Sequence, residues 1–276
     1  MTETWAAADT YEPYVGRWSR LIAREFLVWL GASPRLAWLD VGCGTGALSH
    51  SILASYAPRV VAAIDRSREY VAAARAWQGG VGSSYFIVAD ACNLPVNDGR
   101  FDMAVSGLVL NFVSEPARMV AEMMRALRPN GRLALYVWDY AECMELVRYF
   151  WDAAVELAPS ASKLDEGRRF PVCRPEPLHA LFESNGLRDV EVRAIDVPTV
   201  FRDFEDYWSP FMGGQGPAPG YAVSLSEEER TQLRQLLRAR LPQAPDGSIS
   251  LVARAWAIVG NRTEHAARSD HDNSDG

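Results

Sequence analysis

The sequence predicts an α/β fold, a doubly wound and mostly parallel sheet, and three observations carry that prediction. Five short apolar runs alternate with helix-compatible segments between Leu36 and Trp138. Within those runs apolar residues occupy successive positions rather than alternate ones, as expected when both faces of a sheet are covered. The first run ends in WLDVGCGTGAL, an aspartate followed by three glycines, which reads as a strand, a tight turn and a helix N-terminus.

The elements follow in order. Tyr14 to Leu30 predicts a helix: Val15, Trp18, Ile22, Phe26 and Trp29 recur at three- and four-residue steps, Pro13 suits the first turn, and Gly31 and Pro34 end it. Arg17, Arg20 and Arg24 form a second stripe along it, either a solvated basic face or, for Arg17, a contact to a ligand carboxylate. Strands are expected at about Leu36–Val41, Val60–Ile64, Tyr85–Ala89, Met103–Leu108 and Leu133–Val137, with Arg128-Pro129-Asn130-Gly131 as a turn before the fifth. Crossovers between parallel strands should be right-handed. A helix near Glu142–Leu157 and the long segment APSASKLDEGRRFPVCRPEP depart from simple alternation, and they are expected to build part of a lid. A helix near Pro177–Ser184 stops at Asn185-Gly186. Phe201 to Leu241 is a second insertion, with a glycine- and proline-rich loop and a charged helix that Ser226 and Glu229 cap reciprocally. A last strand is expected at about Leu251–Val259, then a polar tail that reads as disordered.

Composition narrows the function. The chain has 276 residues, 49% of them hydrophobic, enough for one large domain or a core with a cap. Its net charge of −7 argues against a nucleic-acid-binding surface over the whole molecule. No signal peptide is evident, and no apolar run approaches the roughly 20 residues of a membrane span, so a cytoplasmic protein is expected. Cys43, Cys92, Cys143 and Cys173 form no C-x-x-C pair, so neither zinc nor a disulfide framework is indicated. Cys43 reads as a small residue fitting a tight loop. His50 reads as structural, His179 lies by the lid, and His265 and His271 lie in the tail; none has metal spacing or an evident catalytic role.

The glycine turn suits a nucleoside-bearing ligand but does not choose it, because Gly42, Gly44 and Ala47 also fit the dinucleotide fingerprint G-x-G-x-x-A. Three carboxylates do. Asp40 stands before the glycines, where a nicotinamide-dinucleotide fingerprint normally has an apolar residue. Asp65 follows the second apolar run, where a strand-end carboxylate accepts both ribose hydroxyls. Asp90 follows the third, where it could meet an adenine amino group.

Taken in order, LDVGCGTG, AAID, VADACNLP and FDMAVSGLVLNFV resemble the class I S-adenosylmethionine-dependent methyltransferases, in the UbiE-like small-molecule branch. LFESNGLRDVEV and ARAWAIVG look like that family's sixth and seventh strands. The resemblance implies a Rossmann-like, seven-stranded, mostly parallel sheet with an antiparallel last strand and helical lid insertions. It implies a methyltransferase domain over 1–260: a helical cover (1–34), a cofactor-binding core (36–138), lids (139–180 and 201–248) and a tail (261–276). It implies S-adenosylmethionine as cofactor. Gly42, Gly44 and Gly46 would form the turn beside it, supported by Asp40, and Asp65 would hold the ribose. Asp90 and Ala91 would read adenine with Arg66 along its face. Leu108 would offer a carbonyl to the ammonium group, Asn111 would start the next helix near the methyl, and Arg17 would reach the carboxylate. Methyl transfer from a sulfonium chiefly needs alignment of nucleophile, carbon and sulfur, so a catalytic dyad is not required.

The aromatics Trp138, Tyr140, Phe150, Trp151, Phe170, Tyr207, Trp208 and Phe211 lie in or beside the insertions. Lid packing accounts for most of them, and those that face the cleft would make a chamber for an aromatic or lipophilic small-molecule acceptor. Tyr140 and Asp139 are the candidate bases or positioning groups. A nucleic-acid acceptor is disfavoured because the tetrad (D/N)PP(Y/F) is absent and SGLVLNFV stands in its place. A non-catalytic binding protein and an NAD-dependent oxidoreductase are the alternatives.

Overall fold

The computed structural model describes residues 16–76, 83–214 and 216–263. Among them, a seven-stranded sheet runs in the order β3-β2-β1-β4-β5-β7-β6. Its strands are β1 (Ala37–Val41), β2 (Val60–Asp65), β3 (Ser83–Val88), β4 (Phe101–Gly107), β5 (Leu127–Trp138), β6 (Leu187–Phe201) and β7 (Ile249–Arg262). Pairing is parallel from β3 through β5, and β7 runs antiparallel to both β5 and β6. Every residue of β1 is buried, and so are six of the seven residues of β4, which explains why apolar residues fill successive positions of both.

Helix α1 (Arg17–Leu30) buries Trp18, Ile22, Phe26, Leu27 and Leu30 and stops at Gly31, left-handed at φ +53°, whose N–H closes on the Leu27 carbonyl. The expected start of this helix at Pro13–Val15 lies outside the described residues, as do His265, His271 and the tail from 264 onward. Helices α2 (Ala47–Tyr56), α3 (Arg68–Ala76) and α4 (Pro116–Ala126) follow β1, β2 and β4.

Several boundaries differ from expectation, and pairing accounts for two of them. Strand β5 begins at Leu127 rather than Leu133, because Arg128–Gly131 forms an irregularity inside the strand and not a turn before it: Phe101 pairs with Leu127 and Met103 with Arg132, while Asn130 takes φ +62°. Strand β7 extends to Arg262, since Leu187 of β6 pairs with that residue.

Both insertions are helical. Between β5 and β6 lie α5 (Glu145–Leu157), a 3₁₀ turn (Pro159–Lys163), α6 (Glu166–Arg169) and α7 (Pro175–Ser184). Between β6 and β7 lie α8 (Phe204–Trp208), a 3₁₀ turn (Ser209–Gly213), α9 (Pro217–Ser224) and α10 (Glu227–Arg240), the last with the expected Ser226–Glu229 capping box. They pack on each other through an aromatic cluster. Phe150 stacks on Phe211 at 4.6 Å, Trp151 meets Tyr221 at 5.6 Å, and the Tyr207 hydroxyl donates to the Leu146 carbonyl at 2.9 Å. No described helix is long and apolar enough to cross a membrane.

Candidate functional site

After β1 the chain reverses through Gly42 (φ +77°), Gly44 (φ +52°) and Gly46 (φ +95°) into α2. Gly42 and Cys43 donate their N–H groups to the Ile64 carbonyl at 2.7 and 3.0 Å, and Gly44 donates to Asp65 Oδ2 at 2.9 Å. A Cβ on Gly42 would overlap the Val109 side chain, so glycine is what lets the loops after β1 and β4 touch. Gly44 meets nothing within 4 Å on that side and presents its backbone to open space. His50 is structural as expected: its Nε2 lies 3.0 Å from the Ala74 carbonyl, and burial lowers its pKa. Burial pushes the Cys43 thiol far up, which fits a packing role.

The three carboxylates occupy distinct environments. Asp40 is fully buried. Its Oδ2 accepts from the Ser49 hydroxyl at 2.5 Å, tying β1 to α2, and its Oδ1 has no partner. Burial pushes its pKa up to about 7, and neighbouring Asp65 adds to the rise. Asp65 braces the turn on both oxygens, Oδ2 to Gly44 and Oδ1 to the Ser67 N–H at 2.8 Å. Each oxygen retains a further lone pair for a ligand. Asp90 accepts the Cys92 N–H at 2.7 Å through Oδ1, an Asx turn that fixes the loop after β3. Leu108 stands at φ +62° with its N–H donated to the Tyr136 carbonyl at 2.8 Å, an unfavourable conformation for a leucine held at a strand end.

These ends open on one cavity of about 860 Å³ over the carboxyl ends of the strands, where open α/β sheets bind ligands. Asp40, Gly42, Gly44, Asp65, Arg66, Asp90, Ala91, Leu108 and Tyr140 all line it. Gly46 does not; it sits one step behind, where a Cβ would overlap the His50 ring.

Three expected residues stand elsewhere. Arg17 does not line the cavity. Its Nη1 pairs with Asp206 at 3.2 Å, and its guanidinium lies over Trp18 and Phe201 at 4.4 and 4.8 Å, so it fastens α1 to the second insertion. Asn111 begins no α-helix: it lies in a 3₁₀ turn, Leu110–Phe112, and α4 starts at Pro116. Neighbouring Phe112 is the cavity-lining residue there. Asp139 is turned into the protein, with Oδ1 accepting the Glu142 N–H at 3.1 Å, and serves as a turn cap beside the cavity rather than a wall of it.

The insertion aromatics divide cleanly. Phe150, Trp151, Tyr207 and Phe211 are fully buried within the two insertions, whereas Trp138 and Tyr140 line the cavity together with Phe112. Phe170 backs this wall, 5.5 Å from the Phe112 ring and 5.8 Å from that of Tyr140. Sequence reasoning missed Ser19, Phe112 and Tyr136 as lining residues. Phe112 lay within a quoted motif; Ser19 and Tyr136 carried no local signal, since each reads as one more position of a buried helix or strand.

The donor set fits a nucleoside with a cationic aminoacyl arm. Two carboxylates stand at successive strand ends, a buried carboxylate oxygen lacks a partner, and a glycine leaves room for close approach. No group of three potential metal ligands occurs among the described residues.

Comparison with known proteins agrees. The methyltransferase-domain family matches residues 39–135. The chain is 30% identical over 237 residues to malonyl-[acyl-carrier protein] O-methyltransferase of Geobacter sulfurreducens, covering 83% of this chain and 85% of that protein. It is 35% identical over 127 residues to demethylmenaquinone methyltransferase of Clavibacter sepedonicus, covering 46% and 51%. Against several other curated relatives the matched region is about a third to a half of their length. The fold superposes, with a TM-score of 0.57 and 14% identity over 93% of this chain and 57% of the other, on Haemonchus contortus phosphoethanolamine N-methyltransferase 2 in complex with phosphomonomethylethanolamine and S-adenosylhomocysteine.

Proposed function

This chain belongs to the class I S-adenosylmethionine-dependent methyltransferases, of UbiE-like kind, with S-adenosylmethionine as its cofactor; from that premise we propose that its acceptor is a small aromatic or lipophilic molecule. The observation that carries the proposal is the aromatic wall of Phe112, Trp138 and Tyr140, continuous with the cofactor turn in one cavity. The cavity volume falls in the upper part of the roughly 300–1,000 Å³ range of small-molecule sites, which leaves room for an acceptor beside a nucleoside.

Bound S-adenosylmethionine supplies an activated methyl on a cationic sulfur. The chain's own contribution is placement and exclusion of water. Asp65 and Asp90 hold the nucleoside, with Ala91 at the adenine edge and Arg66 along its face. Gly42, Gly44 and the Leu108 carbonyl shape the aminoacyl side, and Asp40 opposes its positive charge. The aromatic wall orients a flat acceptor, and the Tyr140 hydroxyl positions its nucleophile or takes its proton. Segments 139–180 and 201–248 act as the lid that keeps the chamber dry. A small molecule rather than nucleic acid, supported by the net charge of −7, and a cytoplasmic setting belong to the same proposal.

The test is release of S-adenosylhomocysteine from a panel of phenols, quinols, heteroaromatic amines, aliphatic amines and short carboxylic acids. Turnover confined to the aromatic and lipophilic members, lowered at least tenfold by Tyr140→Phe, is expected. Turnover of the aliphatic amines alone would overturn the acceptor assignment, and an unchanged rate in the variant would remove Tyr140 from the chemistry.

A further inference from the structure

We propose that the carboxylate of the cofactor's aminoacyl arm is held by two hydroxyls, those of Ser19 on α1 and Tyr136 on β5, and not by a guanidinium. This rests on the reading that the cavity holds S-adenosylmethionine. Both residues line the cavity although Ser19 is 3% exposed and Tyr136 2% exposed, so both are built into its floor rather than its rim.

Tyr136 is fixed from three directions. Its ring lies 4.7 Å from that of Phe26, its carbonyl takes the Leu108 N–H, and its partner across the sheet is Gly107. A Cβ at position 107 would overlap the Tyr136 hydroxyl, so the glycine is what lets that oxygen stand beside the 107–108 peptide. The hydroxyl and the left-handed Leu108 therefore form one unit at the end of β4 and β5. An ammonium group set against the Leu108 carbonyl and the unpartnered Asp40 oxygen leaves the attached carboxylate needing donors close by. Neither Arg17 nor Arg20 of α1 lines the cavity, Arg17 pairs with Asp206 through Nη1, and the arginines that do line it, Arg66, Arg68 and Arg118, stand after β2 and on α4, on other strand ends than that of Tyr136. Ser19 is the residue of that stretch which does face inward, two positions and roughly 200° around the helix from Arg17. Hydroxyls satisfy a carboxylate without the desolvation cost of burying a second full charge.

The experiment is calorimetric titration of the full chain, Ser19→Ala, Tyr136→Phe and the double variant with two ligands. S-adenosylhomocysteine carries the aminoacyl arm and 5′-methylthioadenosine lacks it. Each single substitution should weaken S-adenosylhomocysteine about tenfold, the loss of one charge-assisted hydrogen bond, and leave methylthioadenosine within about twofold. Equal losses for both ligands would show that the residues only shape the pocket, and undiminished S-adenosylhomocysteine affinity would show that the carboxylate is held elsewhere; either overturns the proposal. Failure of the cofactor reading itself looks different, because the unmodified chain would then bind neither ligand. Tyr136→Phe keeps the ring on Phe26, and retained methylthioadenosine binding certifies the fold of the variant.

Discussion

Replacing Asp65 by alanine removes the anchor of two things at once. In the structure its oxygens accept the Gly44 and Ser67 N–H groups at 2.9 and 2.8 Å on a residue that lines the cavity, and the proposed ribose contact uses their remaining lone pairs. The two freed amides border the open cavity, so water satisfies them in the empty protein and the loss falls mainly on the bound state. Two charge-assisted hydrogen bonds to ribose in a half-exposed setting are worth about 1 kcal/mol each, together about 2 kcal/mol, or roughly 30-fold in affinity. Asp65→Asn should also weaken binding, because its amide nitrogen opposes one backbone N–H donor to donor. Calorimetry with S-adenosylhomocysteine measures the affinity, and a thermal melt of the empty protein measures how much the turn itself has loosened. Affinity within threefold of the unmodified chain would refute the ribose contact and leave Asp65 as a turn brace alone.

Two further predictions concern pH. With Asp40 pushed up to about 7 and carrying an unpartnered oxygen on a residue that lines the cavity, the positively charged S-adenosylmethionine should bind more tightly as pH rises from 6 to 8, with a plateau above. Asp40→Asn should flatten that profile, and a flat profile in the unmodified chain would show that Asp40 does not sense the ligand's charge. Glu166 is buried against the Trp151 indole N–H, which donates to it, and its pKa is pushed up to about 7 by burial. A raised carboxyl pKa favours the protonated fold, so its stabilising contribution is complete below the ordinary carboxyl range and is lost as pH rises from about 4.5 to about 7. That loss is on the order of 3 kcal/mol. Glu166→Gln keeps the acceptor for Trp151 and should remove most of the decline in urea midpoint between pH 5 and pH 8.

What the sequence made legible is what local chemistry dictates. A buried parallel strand must be apolar on both faces, a tight turn needs glycine, and a strand-end carboxylate follows its strand by one position. So β1, β2, Gly42, Gly44, Asp65 and Asp90 could all be placed from the residues alone. Arg17 was misplaced because a stripe of arginines gives the helix face only to within a turn, and the partner that claims it, Asp206, lies 189 positions away. Asn111 was misplaced because a 3₁₀ turn and a helix start share the same local signals. The role of Tyr136 was illegible for the same reason as that of Gly107: each makes sense only through the other, across a parallel pairing that no local pattern reveals. The aromatic clusters divided into insertion core and cavity wall only once β6 and β7 brought the second insertion against the first.

The most direct test of the account is a calorimetric titration of the unmodified protein with S-adenosylhomocysteine, with NAD as the control ligand. The account predicts saturable one-to-one binding of S-adenosylhomocysteine and no heat of binding from NAD. Saturable binding of NAD alone, or of neither ligand, would contradict it.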